Sequence, residues 1–217
     1  MFHSSLWKPM LLALSIAIGL SLQSAKAHAD EIVVAGGCFW CVEADFEKVK
    51  GVSDVVSGYT GGTLKNPTYK QVTKHGTGHY EAAKIIYDPA KVSLAQLYAL
   101  YFRSVDPTDA GGQFCDRGDS YRTAIFVADA AQKAAAEQAR ADAARALGQK
   151  IVTPILAAAP FYDAEDYHQD YYKGSNRVVT RFGVIRQADA YHRYRKGCGR
   201  DARVKALWGA DAAFVSG

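Results

Sequence analysis

No apolar stretch of this chain marks a membrane span. The run from Met10 to Leu22 covers 13 residues and stops at Gln23 and Ser24, short of the roughly 20 that a bilayer core demands. Low-complexity tracts, internal repeats and internal linkers are missing as well, so neither a solenoid nor a string of modules is expected. Charge is close to balanced, with 26 Lys and Arg against 22 Asp and Glu. The basic stretch from Arg193 to Arg203 is short and broken by glycines, and reads as solvated surface rather than a nucleic-acid or membrane patch. Cysteine is scarce too: there are 4, with one C-x-x-C pair, where zinc modules usually carry a second close ligand pair.

What remains is the make-up of one ordinary globular domain, 49% hydrophobic over 217 residues, enough to bury a full core. The first 29 residues stand apart. Lys8 precedes the apolar run, which is followed by the small-x-small patterns Ala25-Lys26-Ala27 and Ala27-His28-Ala29, the layout of a cleaved secretory signal. Cleavage before Asp30 removes two lysines and no acid, lowering the net charge from +4 to +2. Residues 30–217 are then the working domain, exported to a periplasmic or secreted location and free of the membrane. With no added interaction segment, a monomer is expected.

Hydrophobic spacing along the domain predicts a strand from Glu31 to Ala35, a turn at Gly36-Gly37, and a helix from Cys38 toward Val49. Further strands are expected over Val52–Tyr59, Ala82–Tyr87, Arg122–Val127 and Ile151–Ala157, with helices capped by Ser93 and Asp129. Strands and helices mixed in this way fit an α+β two-layer domain. The glycines flanking Cys198 predict a flexible loop near the C-terminus.

Four cysteines in an oxidising compartment, Cys38, Cys41, Cys115 and Cys198, each need a reason to be there, and structural disulfides are the plain one. Cys38 stands at the first turn of a helix just after Gly36-Gly37, where backbone N–H groups and the helix dipole favour a thiolate. Phe39 and Trp40 beside it offer aromatic surface suited to an S-methyl group. A buried, inert cysteine fits the position equally well, so the neighbours must decide.

Gly37-Cys38-Phe39-Trp40-Cys41-Val42-Glu43 resembles the signature of the peptide-methionine (S)-S-oxide reductase family. The resemblance continues through Gly58-Tyr59-Thr60-Gly61-Gly62, Asn66-Pro67-Thr68-Tyr69, Gly78-His79-Tyr80-Glu81, Asp116-Arg117-Gly118 with Tyr121-Arg122, and Glu165-Asp166-Tyr167-His168-Gln169. It implies an α+β mixed-sheet sandwich with a ferredoxin-like roll. It also implies a Cys38 nucleophile, Glu81 as the acid, and Tyr69 and Tyr121 as donors to the substrate oxygen. The residue types make chemical sense, because a sulfoxide is a poor electrophile until its oxygen takes a proton. Asp116 matches a further site position, to orient Tyr121 or a water, and fits an Asx-turn before Gly118 as well.

No bound cofactor and no metal are implied; electrons come from an external dithiol or thioredoxin-type protein. Attack of Cys38 on the sulfoxide sulfur leaves a sulfenic acid that a second thiol must resolve. Cys198 is the first candidate, on the resemblance of Cys198-Gly199-Arg200-Asp201 to C-terminal segments of some members, and Cys41 is the alternative. Cys115 departs from the family's usual asparagine, either relaying a disulfide or filling that space, with the second favoured. A thioredoxin-like thiol exchanger and a metal module using His75, His79 and His168 stand as the competing classes.

Overall fold

The computed structural model describes residue 1 and residues 29–215; the rest of the expected leader lies outside them. In chain order the elements are β1 (Asp30–Gly36), α1 (Phe39–Phe46), β2 (Val52–Thr60), α2 (Tyr69–Val72), β3 (Tyr80–Tyr87), α3 (Leu94–Phe102), β4 (Gly112–Gln113), β5 (Asp116–Arg117), β6 (Thr123–Val127), α4 (Ala130–Leu147), β7 (Ile155–Ala157), β8 (Tyr162–Asp163), β9 (Arg177–Thr180), β10 (Gly183–Arg186), α5 (Gln187–Gly197) and α6 (Arg200–Trp208).

Six strands form one mixed sheet in the order β7-β6-β1-β3-β2-β8. β1 runs antiparallel to β3 and β6, β2 antiparallel to β3, and β7 parallel to β6. Hence β1 and β2 point the same way with β3 between them and α1 as their crossover. β3 and β6 do the same around β1 with α3. These two interlocked split β-α-β units are compatible with the ferredoxin-like arrangement.

Period-two alternation divides the sheet into two faces. Ile32 and Val34 of β1 join Val55, Ile85 and Ile125 in the main core, against Phe46 of α1, Leu97 and Tyr101 of α3, and Ala136, Ala139 and Ala143 of α4. Val33 and Ala35 face the opposite side with Tyr80, Ala82 and Phe126. Local chemistry sets the helix ends. Ser93 and Gln96 close a capping box at α3, and Asp129 accepts from the Gln132 N–H at α4, which ends at Gly148 in the left-handed region, φ +61°.

Two expectations for the tail change. Gly197-Cys198-Gly199 is a tight junction rather than a flexible loop: Gly197 is the last residue of α5, and Gly199, φ +71°, caps α6. The Arg193–Arg203 stretch is not uniformly solvated, because Arg195 and Arg200 are buried, at 8% and 2% exposure. Asp45 supplies the counter-charge, 2.8 Å from Arg195 and 3.8 Å from Arg200. Arg200 also donates to the carbonyls of Gly36 and Ser104.

Candidate active site

The turn leaving β1 is what sets the first thiol. Gly37 has φ +80°, and a Cβ there would come within 2.6 Å of the Gln113 side chain, so both conformation and space require glycine. Cys38 then occupies the N-cap of α1. Opposite it, β3 delivers Glu81, which pairs in register with Tyr59 of β2. Its Oε2 accepts the Phe39 N–H at 3.2 Å, while its buried Oε1 has no partner among the described residues.

Tyr69 is the first residue of α2, whose start is fixed by Thr68 and Gln71 in a capping box. Glu165 anchors it from behind, accepting the Tyr69 N–H and the Tyr59 hydroxyl, each at 2.9 Å. Tyr121 ends a single 3-10 turn from Asp119 to Tyr121. That turn is tied to the α2–β3 loop by Asp119, which lies 2.8 Å from His75 and accepts the Gly76 N–H. His79 shapes the preceding loop: Gly62 N–H donates to its Nδ1, so its Nε2 donates to the Leu64 carbonyl.

Cys38, Phe39, Trp40, Tyr69, Glu81, Asp116 and Tyr121 all line one cavity of about 50 Å³. Every site residue expected there from the sequence is thus brought together. An eighth wall, Tyr194 of α5, was not anticipated. Its hydroxyl donates to Asp116, a partner for that carboxylate beyond those the sequence suggested. No local motif marks Tyr194, one of 13 tyrosines; only the fold brings it to a partner far away in the chain.

The aromatic pair is rigidly held. Trp40 stacks on Tyr171 with ring centroids 3.9 Å apart, and its indole N–H donates to His168 Nδ1 at 3.2 Å. Burial pushes His168 down to about 4, so it is a neutral ring able to accept. Phe39 lies against Tyr59, Tyr69 and His168.

Electrostatics correct one expectation. Burial first, then the Cys41 thiol and the Glu81 and Asp116 carboxyls, raise Cys38, which favours the thiol despite its helix position. Burial also lifts Glu81 to about 8, against the opposing pull of the Phe39 N–H. The same desolvation raises Tyr69 and Tyr121, keeping both as donors.

The cysteines fall into two pairs. Cys38 and Cys41 are free and buried, in one cluster with Ala44, Tyr171 and Tyr191. Cys198 is bonded to Cys115, so Cys115 is a disulfide partner and not the space-filling side chain favoured from the sequence. That disulfide lines a second, more apolar cavity of about 460 Å³, walled by Phe182, Tyr171 and Ala190, which shares Trp40 and Tyr194 with the first.

Known proteins resemble this chain in sequence and fold. The family described as peptide methionine sulfoxide reductase matches residues 30–198. A peptide methionine sulfoxide reductase MsrA 2 of Caulobacter vibrioides is 52% identical over 186 residues, covering 85% of this chain and 88% of its own. A Rhizobium meliloti relative of the same description is 43% identical over 206 residues, covering 95% and 96%. Among solved structures, reduced Mxr1 from Saccharomyces cerevisiae matches with TM-score 0.66 at 29% identity, over 74% of this chain and 94% of that one. Methionine sulfoxide reductase A of Corynebacterium diphtheriae matches with TM-score 0.61 at 30% identity, over 69% and 76%. The chain belongs to the peptide methionine sulfoxide reductase family.

Proposed function

We propose that this protein reduces the S epimer of methionine sulfoxide, free or in proteins, with Cys38 as nucleophile and Glu81 as acid. The observation that carries the reading is Glu81: a carboxyl 1% exposed and raised to about 8 by burial, lining the same small cavity as Cys38, Tyr69 and Tyr121.

A sulfoxide entering this cavity sets its methyl group against Phe39 and Trp40 and its oxygen toward Tyr69, Tyr121 and Glu81. Glu81 gives its proton to the oxygen, which makes the sulfur electrophilic. Cys38 attacks that sulfur, its thiol proton returning to Glu81. Oxygen passes from one sulfur to the other, methionine leaves, and Cys38 becomes a sulfenic acid. A second thiol condenses with it, releasing water and forming an intramolecular disulfide. Tyr69 and Tyr121 stabilise charge developing on oxygen, and Asp116 positions the wall through Tyr194. Recycling draws on an external dithiol or thioredoxin-type protein, and no bound cofactor takes part.

The test incubates purified protein and dithiothreitol with each epimer of a blocked methionine sulfoxide, beside Cys38→Ser. Turnover of the S epimer alone, lost in the variant, is expected. Turnover of neither epimer would return the protein to the thiol-exchange class.

A further inference from the structure

The cavity that holds Cys38 and Glu81 has room for a sulfoxide head and little more. At about 50 Å³ it cannot take the backbone to which a methionine sulfoxide in a protein is joined, so that chain must lie on the surface outside. Beside it stands the cavity of about 460 Å³, a size within the roughly 300–1,000 Å³ that ligand sites occupy. Trp40 and Tyr194 line both, so the two share a wall of single aromatic side chains. In an extended chain, residues two apart point the same way, about 7 Å from one another. A peptide whose sulfoxide enters the first cavity therefore carries a second neighbour toward the other one.

The remaining wall of that second cavity has its own chemistry. Thr180, Arg181 and Phe182, at the tip between β9 and β10, all line it. The Thr180 hydroxyl shapes the tip, donating to the Gly183 carbonyl and accepting the Phe182 N–H. Phe182 lines the cavity yet is 45% exposed, an apolar ring left facing solvent. The Arg181 and Arg193 guanidiniums lie over that ring, 4.8 and 5.1 Å from its centroid. Over residues 177–197 the exposed charges are Arg177, Arg181, Arg186, Arg193 and Lys196 against a single acid, Asp189. An aromatic lining beside clustered cations suits an apolar side chain with a carboxylate close by.

We propose that this second cavity is a docking site for the polypeptide that carries the sulfoxide. It selects substrates with an aromatic or large aliphatic residue two positions from the oxidised methionine and an acidic residue beside it. The proposal deepens the reductase reading above and rests on it. The cavity is continuous with the reaction site through Trp40 and Tyr194, which a flanking residue of the substrate requires, and its cations complement acidic neighbours. The Cys115–Cys198 disulfide in its wall makes a protein reductant the competing occupant, and the test separates the two.

The experiment measures steady-state kinetics of the purified protein with dithiothreitol as the sole reductant, so that no protein reductant competes. The substrates are a free blocked S-sulfoxide and short peptides bearing one S-sulfoxide. One peptide set has Phe two positions before or after the sulfoxide with Glu beside it; the other has Ser and Lys in those places. In one of the two arrangements the Phe/Glu peptide is expected to show a KM about tenfold below its Ser/Lys counterpart, the low end of what burying a large apolar side chain yields. Phe182→Ser and Arg181→Glu, both at the exposed tip, are expected to remove that gap while the free blocked sulfoxide turns over as in wild type. Equal KM for all peptides, or a gap that both variants retain, would overturn the docking site. So would variants that leave peptide kinetics alone and raise only the KM of a thioredoxin-type reductant, which would give the cavity to that partner. No turnover of the free blocked sulfoxide by wild type would instead sink the reductase reading itself.

Discussion

At the scale of single residues, the environment of Glu81 converts an ordinary carboxyl into an acid usable near neutrality. Its role requires the protonated form, so activity is full below about 8 and falls as pH rises through that value. Glu81→Gln preserves size and a polar head but has no proton to give. A fall in kcat of about 100- to 10,000-fold, with loss of the alkaline limb in a pH–rate profile, is expected. A variant within a few-fold of wild type at every pH would take the acid role from Glu81. Cys38, Glu81, Tyr69 and Tyr121 were legible because each lies in a short, specific string. Tyr194 was not, because nothing local distinguishes it and its partner Asp116 lies 78 residues away. The protonation of Cys38 was misjudged for a related reason: the helix N-terminus is visible in sequence, whereas the burial that outweighs it is a property of the packed site.

At the scale of elements, α6 is held to the catalytic turn by charge in the interior. Arg200 reaches the Gly36 carbonyl at 3.1 Å, one residue before Gly37, and Asp45 of α1 neutralises it together with Arg195. Removing the shared anion leaves buried Arg200 without its carboxylate and Arg195 with Asp201 at 2.7 Å; breaking a buried pair typically costs about 3–5 kcal/mol. Asp45→Ala should therefore lower the denaturation midpoint by a corresponding amount in a urea titration; a shift under about 1 kcal/mol would mean that water replaces the carboxylate. Helix starts at Cys38, Ser93 and Asp129 were readable because caps are local signals. The hairpin of β9 and β10 went unread, and the basic run around Arg195 looked solvated, since the anion that buries it sits 150 positions earlier.

Across the whole molecule, the order of the sheet was beyond pattern reading. Strand pairings such as β1 with β3 or β2 with β8 join segments dozens of residues apart, and periodicity reports faces, not neighbours. Only the α+β class and the rough places of its strands and helices were available from residues alone. The export reading belongs at this scale as well. N-terminal sequencing of the secreted or periplasmic protein is expected to begin at His28 or Asp30; an intact Met1 there would reject a cleaved leader. Residues 30–217 contain no methionine, so the domain carries none of the residue whose oxidised form its family reduces.

Trp40 stands between the two cysteine cavities, stacked on Tyr171 and edge-on to Tyr194 with centroids 6.2 Å apart. Only Trp7 and Trp208 accompany it in the chain, and Trp208 is buried in the main core beside α3 and α4. An indole that lines both cavities is a chromophore placed at their boundary, and its emission is expected to change when a sulfoxide fills the smaller one or the Cys115–Cys198 disulfide beside the larger one is reduced.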